Sequence, residues 1–98
     1  MTITKQKEGT KLTLSLDGRL DTITAPDLEK VVIDELAGVT DLLMNLEHLI
    51  YISSAGLRVI LAAQKLMNRQ GHMVICHVNS TVMEVFEITG FAEILTIE

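Results

Sequence analysis

At 98 residues the chain has room for one domain, spanning 1–98, and not for a linker and a second one; a domain of this size buries about 60–65% of the surface of its unfolded chain. An apolar fraction of 48% and a mean hydropathy of +0.36 are enough to fill a core, yet no apolar run approaches the ~20 residues of a membrane span, and the N-terminus has no secretory pattern. The net charge of −5 argues against a nucleic-acid binder and the single cysteine, Cys76, excludes a disulfide framework, so a soluble cytoplasmic protein is expected, without membrane insertion.

In chain order, Ile3 between threonines, then Leu12, Leu14 and Leu16 alternating with Lys11, Thr13 and Ser15, predict two half-buried strands joined at Glu8-Gly9 into an antiparallel hairpin. Asp17 before Gly18 fits a turn. Thr24, with Pro26 in the first turn and Asp27 three residues on, predicts a helix start close to a capping box; Leu28, Val31, Val32 and Leu36 follow at helical spacing and Gly38 ends the helix. Leu42 to Leu46 and Met73 to Val78 are continuous apolar runs, a pattern that predicts strands covered on both faces and therefore a partly parallel sheet. Cys76, inside the second run, is expected to be a small core residue. Between the runs a long amphipathic helix is expected from about Ser54 to Arg69, closed by Gln70-Gly71. Asn79 or Ser80 then caps a third helix carrying Val82, Met83 and Phe86, Gly90 stops it, and Ile94 to Ile97 makes a short last strand. Strand and helix alternate after the hairpin, so the expected class is α/β, with helices against a mixed β-sheet.

The stretch Tyr51-Ile52-Ser53-Ser54-Ala55-Gly56-Leu57 places two hydroxyls where an apolar segment gives way to that long helix. Either serine suits an N-cap, accepting a hydrogen bond from a free N–H of the first turn, and the same N–H groups with the positive end of the helix dipole suit a phosphate. Both readings, cap and switch, stand at this point. Leu57, Ile60, Leu61 and Gln64 mark the inward side of the helix, while Arg58, Lys65 and Arg69 recur on the other. From His48 to Met83 these are the only charged side chains, so the segment carries +3 and the remainder −8. Such a stripe is either a solvated face or a docking surface for an acidic partner. Asp21 is open to a turn bond or a functional role. His48, His72 and His77 match no metal-ligand spacing, so no metal is expected, and no grouping of residues carries catalysis or holds a cofactor.

Tyr51 to Leu57, continued by Arg58-Val59-Ile60-Leu61, resembles the phosphorylation segment of the bacterial anti-sigma factor antagonists, which are built on the STAS domain. Gly18-Arg19-Leu20-Asp21, with Ala25 to Leu28, is similar to the family's Gly-x-Leu-Asp element and following helix start, and Thr89-Gly90-Phe91 to its C-terminal turn. The resemblance runs through the whole chain and implies a single STAS domain with helices mainly on one face of the sheet. It implies a protein that is not an enzyme but binds an anti-sigma factor that is also a serine kinase, is phosphorylated by it and lets go, and is reset by a serine phosphatase. The family segment reads Asp-Ser-Ser/Thr-Gly-Leu. Alignment on Gly56 and Leu57 therefore puts Ser54 at the acceptor, Ser53 at the aspartate and as the alternative acceptor, and Asp21 nearby. The partner surface implied is Asp21, Ser53, Ser54, Gly56, Arg58, Lys65 and Arg69. The same fold also serves as a subunit of transport ATPase complexes or as a ligand-sensing module, and in that alternative Ser54 only caps the helix.

Overall fold

The computed structural model describes residues 1–98. Strands β1 (Thr2–Glu8) and β2 (Lys11–Leu20) form the antiparallel hairpin, pairing Glu8 with Lys11 and Thr2 with Asp17. Helix α1 (Ala25–Glu35) connects β2 to β3 (Asp41–Ile52), and α2 (Ser54–Gln70) connects β3 to β4 (His72–Cys76). Helix α3 (Ser80–Ile88) and a short 3-10 turn at Phe91–Glu93 complete the chain. The sheet order is β1-β2-β3-β4, with β3 parallel to both β2 and β4, as helical crossovers require. The mixed α/β sheet of the sequence reading is what the chain forms.

Both crossovers step in the same direction across the sheet, and right-handed crossovers of that kind lay their helices on the same face. Leu12, Leu14 and Leu16 of β2, Leu42, Met44 and Leu46 of β3, and Met73 and Ile75 of β4 accordingly point to one side and join a single apolar core with Leu28, Leu36, Ile60, Met67, Val82 and Phe86 from the helices. The other face is open. Two-sided cover, expected from the unbroken apolar runs, does not occur: Leu43 is 36% exposed. Cys76 shares the open side with Val74 and is half-buried, not a core residue; partial burial, then the charges of Glu47 and Glu98, push its thiol above the ordinary value.

Strand β3 runs past the expected Leu46 to Ile52 because it carries two bulges against β2. Ser15 pairs with Asn45 but Asp17 with His48, and Gly18 pairs with Leu49 but Arg19 with Tyr51, so β3 gains one residue each time. The Asn45 side-chain oxygen accepts from the Glu47 N–H at 3.0 Å, holding the first bulge. Beyond it the inward positions are Leu46, Leu49 and Ile52, three apart, which a two-residue period does not reveal. Asp17 and Gly18 lie within β2 and not in a turn.

Two further expectations are corrected. Thr24 makes no side-chain cap on α1. Its hydroxyl instead turns back to β2, accepting from the Asp21 N–H (2.9 Å) and donating to the Arg19 carbonyl (2.8 Å); Pro26 offers no N–H, the Asp27 N–H goes to the Thr24 carbonyl (3.0 Å), and the Asp21 carboxylate takes the Ile23 and Thr24 N–H groups at 3.0 Å each. The last strand shrinks to one parallel bridge between Ile97 and Ile75, since the 3-10 turn occupies the chain just after Gly90 and leaves Ile94 exposed.

Candidate functional site

The C-terminal ends of β2 and β3 and the start of α2 meet at one end of the sheet. The Ser53 N–H donates to the Leu20 carbonyl at 2.9 Å, tying the entry of α2 to the end of β2. Gly56 makes that approach possible: a Cβ there would lie 2.5 Å from Leu20 Cγ and 3.1 Å from the Leu20 oxygen. Gly71 serves the other end of the helix, where a Cβ would meet the Thr40 carbonyl at 1.9 Å. Glycine at position 56 is thus required by contact with β2 and not by backbone angles.

Of the two serines, Ser53 is the N-cap. Its backbone is extended and its hydroxyl accepts from the Gly56 N–H at 3.5 Å, a long and weak bond. Ser54 is the first helical residue and is exposed, and its hydroxyl has no hydrogen-bond partner. The Ser54 and Ala55 N–H groups belong to the first turn and have no acceptor within the helix. The Ser54 hydroxyl is therefore open to solvent.

Arg58, Lys65 and Arg69 are all exposed along the same outer strip of α2 that starts at Ser54. Leu57, Ile60 and Gln64 are buried as expected, and Leu61 is half-buried. Gln64 gives its amide N–H to Asn68 at 2.8 Å while its buried carbonyl oxygen has no partner. Between the first turns of α1 and α2 runs a groove of about 240 Å³ lined by Ala25, Pro26, Glu29, Ala55, Arg58 and Val59. A larger open cleft of about 650 Å³, lined by Lys11, Thr13, Asp41 and His72 among others, lies at the opposite end of the strands, away from both serines.

Asp21 comes close to the serines through the backbone alone, one residue beyond Leu20. Its carboxylate is spent on the β2–α1 corner: the Thr24 N–H, against a smaller desolvation effect and aided by the Thr24 hydroxyl, the Ile23 N–H and the Arg19 charge, holds it below its ordinary value. Arg19 lies 3.9 Å from that carboxylate and stacks over the Tyr51 ring at 4.3 Å, a cation–π contact. Sequence reasoning did not single out Arg19 and Tyr51 as partners, because they face each other only through the second bulge of β3. Three exposed apolar side chains, Ile23 (85%), Ile50 (61%) and Tyr51 (39%), flank the same end. Ile50 and Tyr51 lie inside the apolar run Leu49 to Ile52, where nothing in the pattern separates exposed from buried members, and Ile23 stands alone between Thr22 and Thr24. His48, His72 and His77 are exposed, and no three His, Cys, Asp or Glu side chains cluster as metal ligands. No helix is long and apolar enough to cross a membrane.

The family model for the STAS domain matches residues 2–98. Among curated relatives, BtrV of Bordetella bronchiseptica, assigned as an anti-sigma factor antagonist, is 39% identical over 99% of this chain and 85% of its own. The anti-sigma-B factor antagonist of Staphylococcus aureus is 31% identical over 84% of this chain and 78% of its own. Among solved structures, a Thermotoga maritima protein assigned to the same class superposes with a TM-score of 0.89 at 22% identity, covering 97% of this chain and 84% of that one.

Proposed function

This chain belongs to the STAS domain family, and from that premise we propose that it is an anti-sigma factor antagonist: a regulatory binding module, and a substrate rather than an enzyme. In its unmodified form it sequesters an anti-sigma factor that is also a serine kinase. Phosphorylation of Ser54 ends that association, and a serine phosphatase restores it. The names of the curated relatives support the antagonist role. The observation that carries the switch is the placement of Ser54: exposed, free of hydrogen bonds, first in α2 and beside unpaired N–H groups, while the neighbouring Ser53 does the capping.

The docking face in this reading is the outer strip of α2 with the end of the sheet beside it. Arg58, Lys65 and Arg69 supply a cationic strip that starts at Ser54 and suits an acidic partner, and Ile23, Ile50 and Tyr51 supply apolar contact. Asp21, Ser53 and Gly56 set the backbone on which that face is mounted. A phosphoryl group adds about −1.5 to −2 charges at neutral pH. Placed within the contact, it sets anion against anion and must be desolvated, so the partner is released.

Calorimetry with the cognate anti-sigma factor tests this. Ser54→Ala is expected to bind like wild type and to take up no phosphate from the kinase, while Ser54→Asp binds at least tenfold more weakly. Equal affinity of the two variants would mean that charge at position 54 does not govern association. Phosphate found on Ser53 in wild type would shift the acceptor by one residue. A chain that takes up no phosphate from its kinase partner would leave Ser54 with no switching role and favour the transport-subunit or ligand-sensing alternative.

A further inference from the structure

We propose that Arg58 is the built-in counter-ion of the phosphate, so that on phosphorylation of Ser54 the guanidinium folds back across one turn of α2 and pairs with the phosphoryl oxygens. This rests on the phosphorylation reading above and adds to it how the modified state is held.

Three observations support it. Residues four apart on a helix stand side by side, about 5–6 Å between Cβ atoms, and an anion placed N-terminal to its cation is the favourable order. Ser54 and Arg58 have that spacing and that order, with both exposed on the same strip. Arg58 is also uncommitted. The chain's ion pairs are Lys5–Glu35 and Arg19–Asp21, so the second arginine of this region is already engaged by Asp21 and the Tyr51 ring, whereas Arg58 has no carboxylate within 4 Å. Glu29 of α1 lines the same groove but forms no ion pair with it. Finally, no other acidic side chain competes from the same element, because α2 contains neither Asp nor Glu.

The charged groups around a phosphate at this position are then Arg58 on its own helix, Arg19 and Asp21 at the end of β2, and Glu29 across the groove on α1. Of these, only Arg58 is a free cation. A planar guanidinium takes two phosphoryl oxygens at once, and the unpaired first-turn N–H groups add to the attraction. The pairing withdraws Arg58 from the cationic strip at the moment the phosphate appears. One modification therefore both adds an anion to the docking face and removes a cation from it.

Phosphoserine placed at position 54 of the full chain by genetic-code expansion, with no kinase required, allows a direct test by phosphorus NMR. An unpaired phosphoserine has its second ionisation near pH ~6. The wild-type phosphate is expected to titrate about half a pH unit below that of Arg58→Gln, the size of effect suited to one exposed helical ion pair on a dianion. Arg58→Lys should recover part of the difference, and Lys65→Gln, farther along the strip, should overlay wild type. As a readout without substitution, the Arg58 Nε–H resonance should move with the phosphate midpoint. Superimposable titrations of wild type and Arg58→Gln, or an Arg58 resonance indifferent to phosphate ionisation, would overturn the proposal. Calorimetry of the same phosphoprotein with the anti-sigma factor reads the switch separately: undiminished binding would overturn the switch and leave the counter-ion intact.

Discussion

Ser53 and Ser54 stand next to each other in different settings, the first capping α2 and the second exposed as its first residue. Both hydroxyls suit a cap in the sequence; what decides between them is the length of β3, which delivers Ser53 to the capping position and leaves Ser54 as the first helical residue. Ser53→Ala should therefore cost stability and Ser54→Ala should not. Because the bond to the Gly56 N–H is long, the loss at Ser53 belongs at the low end of the usual capping range, about 0.5 kcal/mol. Gly56→Ala should cost more, about 1–3 kcal/mol, since its methyl group meets Leu20 on both side chain and backbone and forces α2 away from β2. Urea unfolding of the three variants gives the order. A Gly56→Ala protein as stable as wild type would show that the helix start slides freely over Leu20, and with it that the seating of Ser54 is not fixed by this contact.

At the level of elements, the strands and helices were largely legible while the devices that aim them were not. The hairpin follows from alternation at Leu12, Leu14 and Leu16, and α2 follows from its apolar and basic sides, because each depends on a period shorter than the element itself. The bulges of β3 break that period by adding residues, so the strand looked short and its partner pairing of Arg19 with Tyr51 stayed hidden. Likewise the corner between β2 and α1 looked like a threonine cap and is an aspartate turn. That difference has a pH signature. The folded-state value of Asp21 lies below its unfolded one, so its contribution is complete above about pH 3.9 and is lost as the pH falls through the lower folded value. The gap in melting temperature between wild type and Asp21→Ala should thus be widest near pH 5 and close toward pH 2.5. A gap that does not change across that range would mean the carboxylate shapes the corner without acting as an anion.

For the molecule as a whole, the uneven charge is the property that most directly bears on association. The chain carries −5 in total, yet the stretch from His48 to Met83 carries only the three cations of α2, all exposed on one strip. In the proposed association with an acidic partner, a net anionic protein is repelled at long range and the strip would turn that into attraction for one orientation only. This distribution, and the start of the strip beside Ser54, could be read in the sequence; that Ser54 is exposed and that Ile50 and Tyr51 are exposed at the same end of the sheet needed the fold, because strand β3 carries those side chains there. Replacing Arg58 and Lys65 together by glutamate should lower the association rate with the anti-sigma factor by about tenfold or more at low salt and leave the melting temperature nearly unchanged, as exposed helix charges contribute little to stability. The rate of the wild type should fall as salt rises, whereas that of the double variant should fall less or even increase. Stopped-flow association measured across ionic strengths distinguishes these, and two proteins with the same rate and the same salt slope would place the partner contact on a different face of the domain.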